Sequence, residues 1–466
     1  MFGYMRQGPG FYRNVLSLAV PIILQNLITT SLGLADTLMV GALGEAPLAA
    51  VTLANIPVFV MQLLVFGLQS GSSVLISQYW GKGDRESINR VIGVGCYVAG
   101  AVSLLFALLM SGFPRQLMGL LTSDPALADI AAQYARIVGP SYIFNSLTSV
   151  YVGAHRSMEN PRLGMIVFGI SMCTNVFLNW VFIFGNLGAP RLEGAGAAVA
   201  TLTSRVVELA AVAVYAARTP RFRLRPALVL RPGLELVGKF ARYSAPVVLN
   251  ETAWGLGTSL YKVVMGHMEG SVEILAARAL AGNIEDVCTV IVFAVSGTTA
   301  IVVGREIGSG RDREGVYRVG KVMDTLALLC GLGIGILLLL ASRLLLPQYV
   351  YPYFQLSQAS ADIATMMVTF TAVLLALRSF NSTNTVGVLR GGGDVRAALL
   401  IDNIPLWCVS LPLAALFGLV LKWGIFWVYI GIAMEQIVKF GAGVRRFRSW
   451  KWINDVTAPS RAQAAV

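Results

Sequence analysis

The residues of this chain that could do chemistry are polar side chains placed inside long apolar runs. The clearest is Asp36, within the run 31–41, which has no basic residue near it in sequence. An ionisable group inside a membrane span costs a few kcal/mol to insert, so it is a functional candidate by default. Asp36 lies about six residues, roughly 9 Å along a helix, from the predicted outer end of its span.

Three more oxygen-bearing side chains fall near the same depth on two later helices. Asn175 and Asn179 share one helix face because they are four residues apart, and Thr201 lies about seven residues into the next span. A carboxylate, two amide oxygens and a hydroxyl suit a hard cation such as Na⁺. The same groups suit a proton on Asp36, because removal from water favours the neutral acid. We therefore predict that these four residues form an ion-coupling site, a metal site if the ion is Na⁺. The alternative is that the Asn and Thr side chains only join helices.

The second half of the chain carries different ionisable groups. Tyr261 stands where Asp36 would repeat, so the two halves are not equivalent. Glu251 and Arg378 each lie about a dozen residues from the inner ends of their spans, which allows a pair in the middle of the membrane. With Tyr261 and Asn381, this pair is a candidate substrate-binding or secondary coupling site. Its alternative is a purely structural ion pair.

Other charges in the spans are given structural interpretations. Lys262 and Glu285 are matched in depth near the outer side, which predicts a second pair. Four charges nearer the inner ends are expected to extend toward the membrane surface or to brace loops: Arg205, Glu208, Asp402 and Glu435.

The sequence contains no motif of an enzyme. The five cysteines lie in apolar runs without a CxxC pair, and two histidines are too few for the usual zinc site. The run 391–394, Gly-Gly-Gly-Asp, lacks the spacing of a phosphate-binding loop and is predicted to be a tight turn. We therefore predict that the protein is not an enzyme and uses no cofactor, and that an ion gradient or a downhill substrate supplies its energy.

The composition is that of a membrane protein. Hydrophobic residues make up 56% of the 466 and charged residues 13%, whereas about a quarter of a soluble protein is charged. Apolar runs of about 20 residues can cross the hydrocarbon core as helices. Twelve such runs predict an all-α membrane protein: 14–41, 51–77, 91–113, 128–152, 163–186, 194–217, 240–268, 276–304, 320–343, 360–389, 396–419 and 424–443. The first run is too long for a signal peptide and lacks a cleavage site.

Basic residues gather in every second loop, after the even-numbered spans, while the alternate loops carry at most one Arg or Lys each. By the positive-inside rule, both termini are predicted to be cytoplasmic, in a plasma membrane such as the bacterial inner membrane. The net charge of +12 is then explained by these loops and by anionic lipid head groups, so no nucleic-acid partner is needed.

The chain contains an internal repeat. Three pairs of similar positions follow the same order at offsets of 225, 227 and 234: Pro21 with Pro246, 77–83 with 304–310, and Gly153 with Gly387. Six spans per half make the repeat parallel, which predicts two pseudo-symmetric lobes around a central cavity. The predicted division is an N-terminal lobe 1–217, a cytoplasmic linker 218–239, a C-terminal lobe 240–443 and a cytoplasmic tail 444–466. The part after Trp452 is predicted to be disordered.

In the order of its motifs the chain resembles the multidrug and toxic compound extrusion (MATE) family over essentially its whole length. The motifs are Pro21, Asp36-Thr37 and Val40-Gly41, then Gln78, Gly81 and Gly83-Asp84, then Asn175 and Asn179, then the run 194–201, and finally 389–394. The resemblance implies twelve helices in two lobes and export of cationic, often aromatic compounds against entering Na⁺ or H⁺. It implies that Asp36 is the coupling carboxylate, with Asn175, Asn179 and Thr201 as its neighbours.

The resemblance is less complete in the second half. Many members carry an acid in the seventh helix, for which Glu251 is the candidate, about one turn nearer the helix start than expected. The acid that some members carry in the tenth helix is replaced by the run 381–384, Asn-Ser-Thr-Asn.

The function predicted from these features is multidrug antiport by alternating access, with small organic cations and the lipid bilayer as partners and no obligate protein partner. A rival is a lipid-linked saccharide flippase of the same wider superfamily, which would need a cavity lined with Arg or Lys. Arg205 and Arg378 are the deep candidates for that role. A membrane enzyme or a non-transporting scaffold is the other class considered.

Overall fold

The computed structural model describes residues 3–354 and 356–458, and this part of the chain is helical without a strand. We number its twelve long helical elements in chain order: α1 Pro9–Gly41, α2 Glu45–Lys82, α3 Arg85–Gly112, α4 Pro125–Val138 with Ser141–Ser157, α5 Arg162–Phe184, α6 Glu193–Arg218, α7 Leu234–Gly266, α8 Ser271–Gly308, α9 Arg313–Leu344, α10 Gln358–Leu389, α11 Val395–Val420 and α12 Ile425–Arg448. Short helices connect them at Gly3–Met5, Pro114–Gly119, Asn186–Gly188, Pro226–Leu230, Leu346–Val350 and Tyr351–Tyr353.

Ten of these elements are long and apolar enough to cross a membrane, judged on length and composition over the described residues. The other two are α4, which is divided near Gly139-Pro140, and α7, which carries several charged side chains. The predicted all-helical membrane architecture is confirmed.

Two late helices are irregular. α10 ends in a π-helical segment, Thr383–Leu389, and α11 contains two more, Leu406–Ser410 and Leu416–Val420. A π-helical turn holds one more residue than an α-helical turn, so it changes which side chains share a helix face. Such segments occur frequently at functional sites.

The repeat is visible in two matching turns. Gly83 and Gly310, which lie at the repeat offset of 227, both adopt a left-handed backbone, with φ of 79° and 77°. Glycine populates this region without a steric penalty. Asp84 and Asp312 then cap α3 and α9 by accepting backbone N–H hydrogen bonds at 3.0 and 3.1 Å. Each turn therefore ends one long helix and starts the next.

The chain forms two compact units that differ from the predicted division. One is continuous, Val20–Val248, and the other joins the residues up to Ala19 with those from Leu249 onward. In the first unit, α2, α3 and α4 supply most of a buried apolar core. In the second, α7, α8, α10, α11 and α12 do so.

The predicted linker 218–239 packs on α3 in the first unit. The Asn89 side chain accepts a hydrogen bond from the Arg225 backbone N–H at 2.8 Å, and the Tyr97 hydroxyl donates to the Leu230 carbonyl at 3.0 Å. Gly93 permits this contact, because a Cβ there would lie 2.2 Å from the Val229 carbonyl oxygen. These polar contacts place the segment with the first unit.

The residues after α12 pack against the turn at 391–394, which is tight as predicted. Trp452 is fully buried, and the Asn454 backbone N–H donates to the Gly392 carbonyl at 2.9 Å. Val456 is also buried, against Gly393. The prediction of disorder after Trp452 is therefore wrong for 453–458, because the apolar side chain of Val456 in this short polar stretch is buried against the turn. Residues 459–466 lie outside the described part.

Candidate ion-coupling site

Four polar side chains of the first unit form one chain of hydrogen bonds. Asn179 Nδ2 of α5 donates to Asp36 Oδ1 of α1 at 2.6 Å and to Asn175 Oδ1 at 3.0 Å. Asn175 Nδ2 reaches Thr201 Oγ1 of α6 at 3.4 Å. The spacing of four residues puts both Asn side chains on one face of α5. The structure thus brings together the four residues predicted for the coupling site.

The site combines buried amides with an accessible carboxylate. Asn175 and Asn179 are buried, at 1% and 0% exposure, whereas Asp36 and Thr201 are half-buried. Asn179 Oδ1 is buried without a hydrogen-bond partner. A buried acceptor without a donor costs about 1–3 kcal/mol, so it favours a ligand that satisfies it. A proton held nearby or a cation coordinated by these oxygens would do so.

The oxygens present suit Na⁺ better than a transition metal. The described residues hold no cluster of three or more His, Cys, Asp or Glu that could bind a metal ion. One carboxylate with amide and hydroxyl oxygens is the ligand set of a hard cation.

Three residues near the site were missed or misplaced by sequence reasoning. Tyr134 of α4 is buried and lies close to Thr201 and Asp36, and Arg205 of α6 lies near enough to Asp36 to interact with its charge. Arg205 Nη1 pairs with Glu208 Oε2 at 2.6 Å, and the Glu208 side chain is fully buried. The expectation that this pair extends toward the surface is wrong. Its spacing of three residues on one helix was the available signal.

The predicted pair of Glu251 with Arg378 is wrong. Glu251 Oε1 pairs with Arg390 Nη1 at 2.7 Å, and Arg390 is 2% exposed. Asp402 Oδ2 lies 3.5 Å from the Arg390 guanidinium. Depth matching found residues at similar levels, but it cannot tell which helix faces meet.

A second group of buried charges continues this network. Lys439 Nζ lies 2.7 Å from Glu435 Oε1 and 3.4 Å from Asp402 Oδ1. The Tyr261 hydroxyl donates to Glu435 Oε2 at 3.0 Å and shares a hydrogen bond with Ser410 at 2.6 Å. Asp402 and Glu435 therefore lie in ion pairs with Lys439. The expectation that they extend toward the membrane surface or brace loops is wrong.

Arg378 belongs to a different pair. It forms a close ion pair with Glu285, whose other oxygen lies 2.8 Å from Arg278 Nη1. The predicted partner of Glu285, Lys262, is exposed instead. Asn381 donates to the backbone oxygen of Gln436 at 2.8 Å and to its side chain at 3.0 Å. Of the four predicted residues of the second half, Glu251 and Tyr261 thus belong to one network through Asp402 and Lys439, whereas Arg378 and Asn381 lie in separate contacts.

The family of the chain follows from its sequence relatives. The family model described as MatE matches residues 21–181 and again residues 246–416. The chain belongs to the MATE family of efflux transporters. The two matches begin at Pro21 and Pro246, which are the prolines of the predicted repeat.

Named relatives agree with this assignment. This MATE protein is 30% identical to a probable multidrug resistance protein NorM of Bradyrhizobium diazoefficiens, with 93% of this chain and 92% of that protein covered. It is 25% identical to a probable multidrug resistance protein NorM of Thermotoga maritima, with 95% and 94% covered.

A solved structure shows the same fold. It is described as the outward-facing conformation of a multidrug resistance MATE family transporter of the MOP superfamily, and it matches with a TM-score of 0.82 at 22% identity. The match covers 96% of this chain and 98% of that one. MATE transporters of this fold have twelve helices in two lobes, so the predicted architecture is confirmed.

Proposed function

We propose that this MATE transporter exports organic cations in exchange for Na⁺ or H⁺, with Asp36 as the coupling carboxylate. The observation that carries the proposal is the hydrogen bond from Asn179 to Asp36, at the start of a buried polar chain that leaves the carboxylate half-exposed. An exposed edge lets an ion or a drug reach Asp36. The amide behind it holds the carboxylate in place.

Coupling follows if two positively charged ligands compete for one negative group. A proton or Na⁺ on Asp36 removes its attraction for an organic cation, and a bound organic cation disfavours the ion to the same extent. The transporter would release the drug when the ion binds from outside and accept a new one after the ion leaves inside. Aromatic side chains near a bound cation would add about 0.5–2 kcal/mol each.

The second half supplies support in this proposal. Glu251 pairs with Arg390 and Arg378 pairs with Glu285, so each already has a protein partner of opposite charge. Both termini face the cytoplasm of a plasma membrane in the proposed orientation, which follows from the basic loops.

The flippase alternative is not favoured by these contacts. A diphosphate head group needs free Arg or Lys side chains in the substrate path. Arg205 and Arg378 both lie against carboxylates, Glu208 and Glu285. Each guanidinium is therefore already in an ion pair, and Arg378 shares its carboxylate with Arg278.

The test is efflux of a fluorescent organic cation from cells that express the wild type or Asp36→Asn, with Na⁺ and external pH varied independently. We expect wild-type efflux to depend on one of the two gradients. The initial efflux rate of the variant should be at least tenfold lower, because an amide has no charge that a proton or Na⁺ could neutralise. Asp129→Asn is the matched control, since Asp129 forms an exposed pair with Arg115. Unchanged efflux in Asp36→Asn, at equal expression, would refute the role of Asp36.

A further inference from the structure

A second buried carboxylate of the chain lies on α9, far in sequence from the residues used above. Asp324 is 4% exposed, and its Oδ2 accepts a hydrogen bond from Asn384 Nδ2 of α10 at 2.8 Å. Asn384 is itself fully buried. The pair repeats the chemistry of Asp36 with Asn179, in which an amide donates to a carboxylate.

Both members of the pair have an oxygen without a donor. Asp324 Oδ1 and Asn384 Oδ1 are buried, and neither has a hydrogen-bond partner. Unsatisfied acceptors are costly in a protein interior, and an uncompensated buried charge costs still more. The arrangement therefore lacks something that donates to these oxygens.

No basic side chain among the described residues forms an ion pair with Asp324. The cations of the neighbouring helices have other partners: Arg378 with Glu285, Arg390 with Glu251, Lys439 with Glu435 and Arg305 with Glu306. Lys321, one turn before Asp324, lies over the Tyr4 ring at 4.1 Å. The titratable group that does interact with Asp324 is Tyr317, on the same helix. The carboxylate thus has no compensating charge.

The corresponding contact in the first half is apolar. Asn384 corresponds to Val150 at the offset of 234, and Asp324 corresponds to Cys96 at the offset of 228 that separates the capping residues Asp84 and Asp312. Gly95, next to Cys96, lies against Val150, since a Cβ on Gly95 would lie 3.1 Å from Val150 Cγ1. Helix packing at this place in the fold therefore works without an acid and an amide.

The backbone around Asn384 is also unusual. Asn384 lies in the π-helical segment Thr383–Leu389, whereas the corresponding part of the first half, Ser141–Ser157, is a regular α-helix. Gly443 of α12 leaves room beside the amide, because a Cβ there would lie 2.9 Å from Asn384 Oδ1. π-helical segments are enriched at functional sites.

We propose that Asp324 and Asn384 form a proton-binding site in the second unit, at a place where the first half of the chain has no acid. The two unpartnered oxygens need one hydrogen-bond donor between them, and a proton on the carboxyl group supplies it. A carboxylic acid and a primary amide have complementary donors and acceptors, so one proton serves both unpartnered oxygens. A hard cation would take about six or more oxygens, whereas this pair offers two.

The site goes beyond the proposed coupling at Asp36. Because it joins α9 to α10, proton binding strengthens that contact and proton loss leaves two buried acceptors without a donor. Proton exchange at Asp324 thus acts on the packing of the second unit.

The test is infrared difference spectroscopy of the purified protein in lipid nanodiscs, titrated from acid to alkaline pH. A protonated carboxyl group has a carbonyl stretch that a carboxylate lacks. We expect a protonated carboxyl band that is present in the wild type, Asp36→Asn and Asp129→Asn and is missing in Asp324→Asn. In Asn384→Leu the acid remains and its hydrogen bond is lost, so the band should persist at a higher frequency.

Two results would overturn the proposal. One is an Asp324→Asn spectrum identical to that of the wild type at every pH, with the variant folded by circular dichroism. The other is loss of the wild-type band when NaCl replaces choline chloride at constant pH, which would identify a cation site. The measurement needs no transported compound, so failure of the proposed efflux leaves its interpretation unchanged.

Discussion

The carboxylates inside the long helical elements of this transporter differ in whether a basic side chain forms an ion pair with them. Glu251, Glu435 and Asp402 face Arg or Lys side chains inside the second unit. Asp36 and Asp324 accept a hydrogen bond from an amide and form no ion pair among the described residues. An ion pair fixes the charge of its carboxylate, because removal of the charge leaves the partner buried alone. Carboxylates without an ion pair lack that penalty and are the ones suited to exchange an ion.

The ion-paired carboxylates have a consequence for stability. Arg390→Gln would leave Glu251 and Asp402 without their shared cation in a buried place, and we expect the variant to lose about 3–5 kcal/mol of stability. The melting temperature of the purified protein in detergent measures this loss. Arg115→Gln is the control, because the exposed Arg115 pair contributes at most about 1 kcal/mol. Equal melting temperatures of the two variants would contradict the assignment.

Sequence reasoning was most successful for the first site. Asn175 and Asn179 share a face by spacing alone, and Asp36 had no competing charge in its span. Depth and periodicity were therefore enough to bring these groups together. The burial of Glu208 and Tyr134 was not predicted, because it depends on neighbouring helices, which a single sequence does not reveal.

Among the helices, α9 and α10 make an unusually close contact through two glycines. A Cβ on Gly331 would lie 2.6 Å from Ser379 Cβ, and one on Gly335 would lie 2.4 Å from the Ala372 carbonyl oxygen. Small residues at this spacing let membrane helices approach each other closely. The contact brings α9 and α10, and with them Asp324 and Asn384, together.

Gly335→Leu should separate these helices and destabilise the protein, whereas Gly333→Leu should not. A Cβ on Gly333 meets nothing within 4 Å, so this glycine is a control on the same helix. We expect overpacking at Gly335 to cost about 1–3 kcal/mol or more. Thermal denaturation in detergent compares the two, and an equal loss in both variants would show that the close approach is unimportant.

The same helices explain why predictions failed in the second half. Between Arg378 and Arg390 the chain passes through the π-helical segment Thr383–Leu389, which changes the face that later residues present. Nothing in the letters of that segment signals the irregularity. The assumption of a regular helical period therefore predicted the tenth span correctly but predicted the wrong partner for Glu251.

For the molecule as a whole, the loops that carry the basic residues determine the orientation that we propose. The two ends of α2 make a direct test, since Glu45 and Lys82 are both exposed. In a variant without the native cysteines, Glu45→Cys should react with a membrane-impermeant maleimide in intact cells. Lys82→Cys should react only after permeabilisation, because the positive-inside rule places it in the cytoplasm. The reverse pattern would invert the proposed topology and the direction of transport.

The packing of residues 449–458 against the 391–394 turn bears on the order in which the transporter can be made. Val20–Val248 is one continuous stretch, so the ribosome delivers all of it before translating most of the other unit. The second unit joins the residues up to Ala19 with those from Leu249 onward, so it can be completed only after both stretches have been translated. Tyr4 contacts Lys321 and Thr325 of α9 only after the eight helical elements between them have been translated. Trp452 follows α12 in sequence, so its side chain can pack beside Gly392 only after all twelve helical elements have been translated.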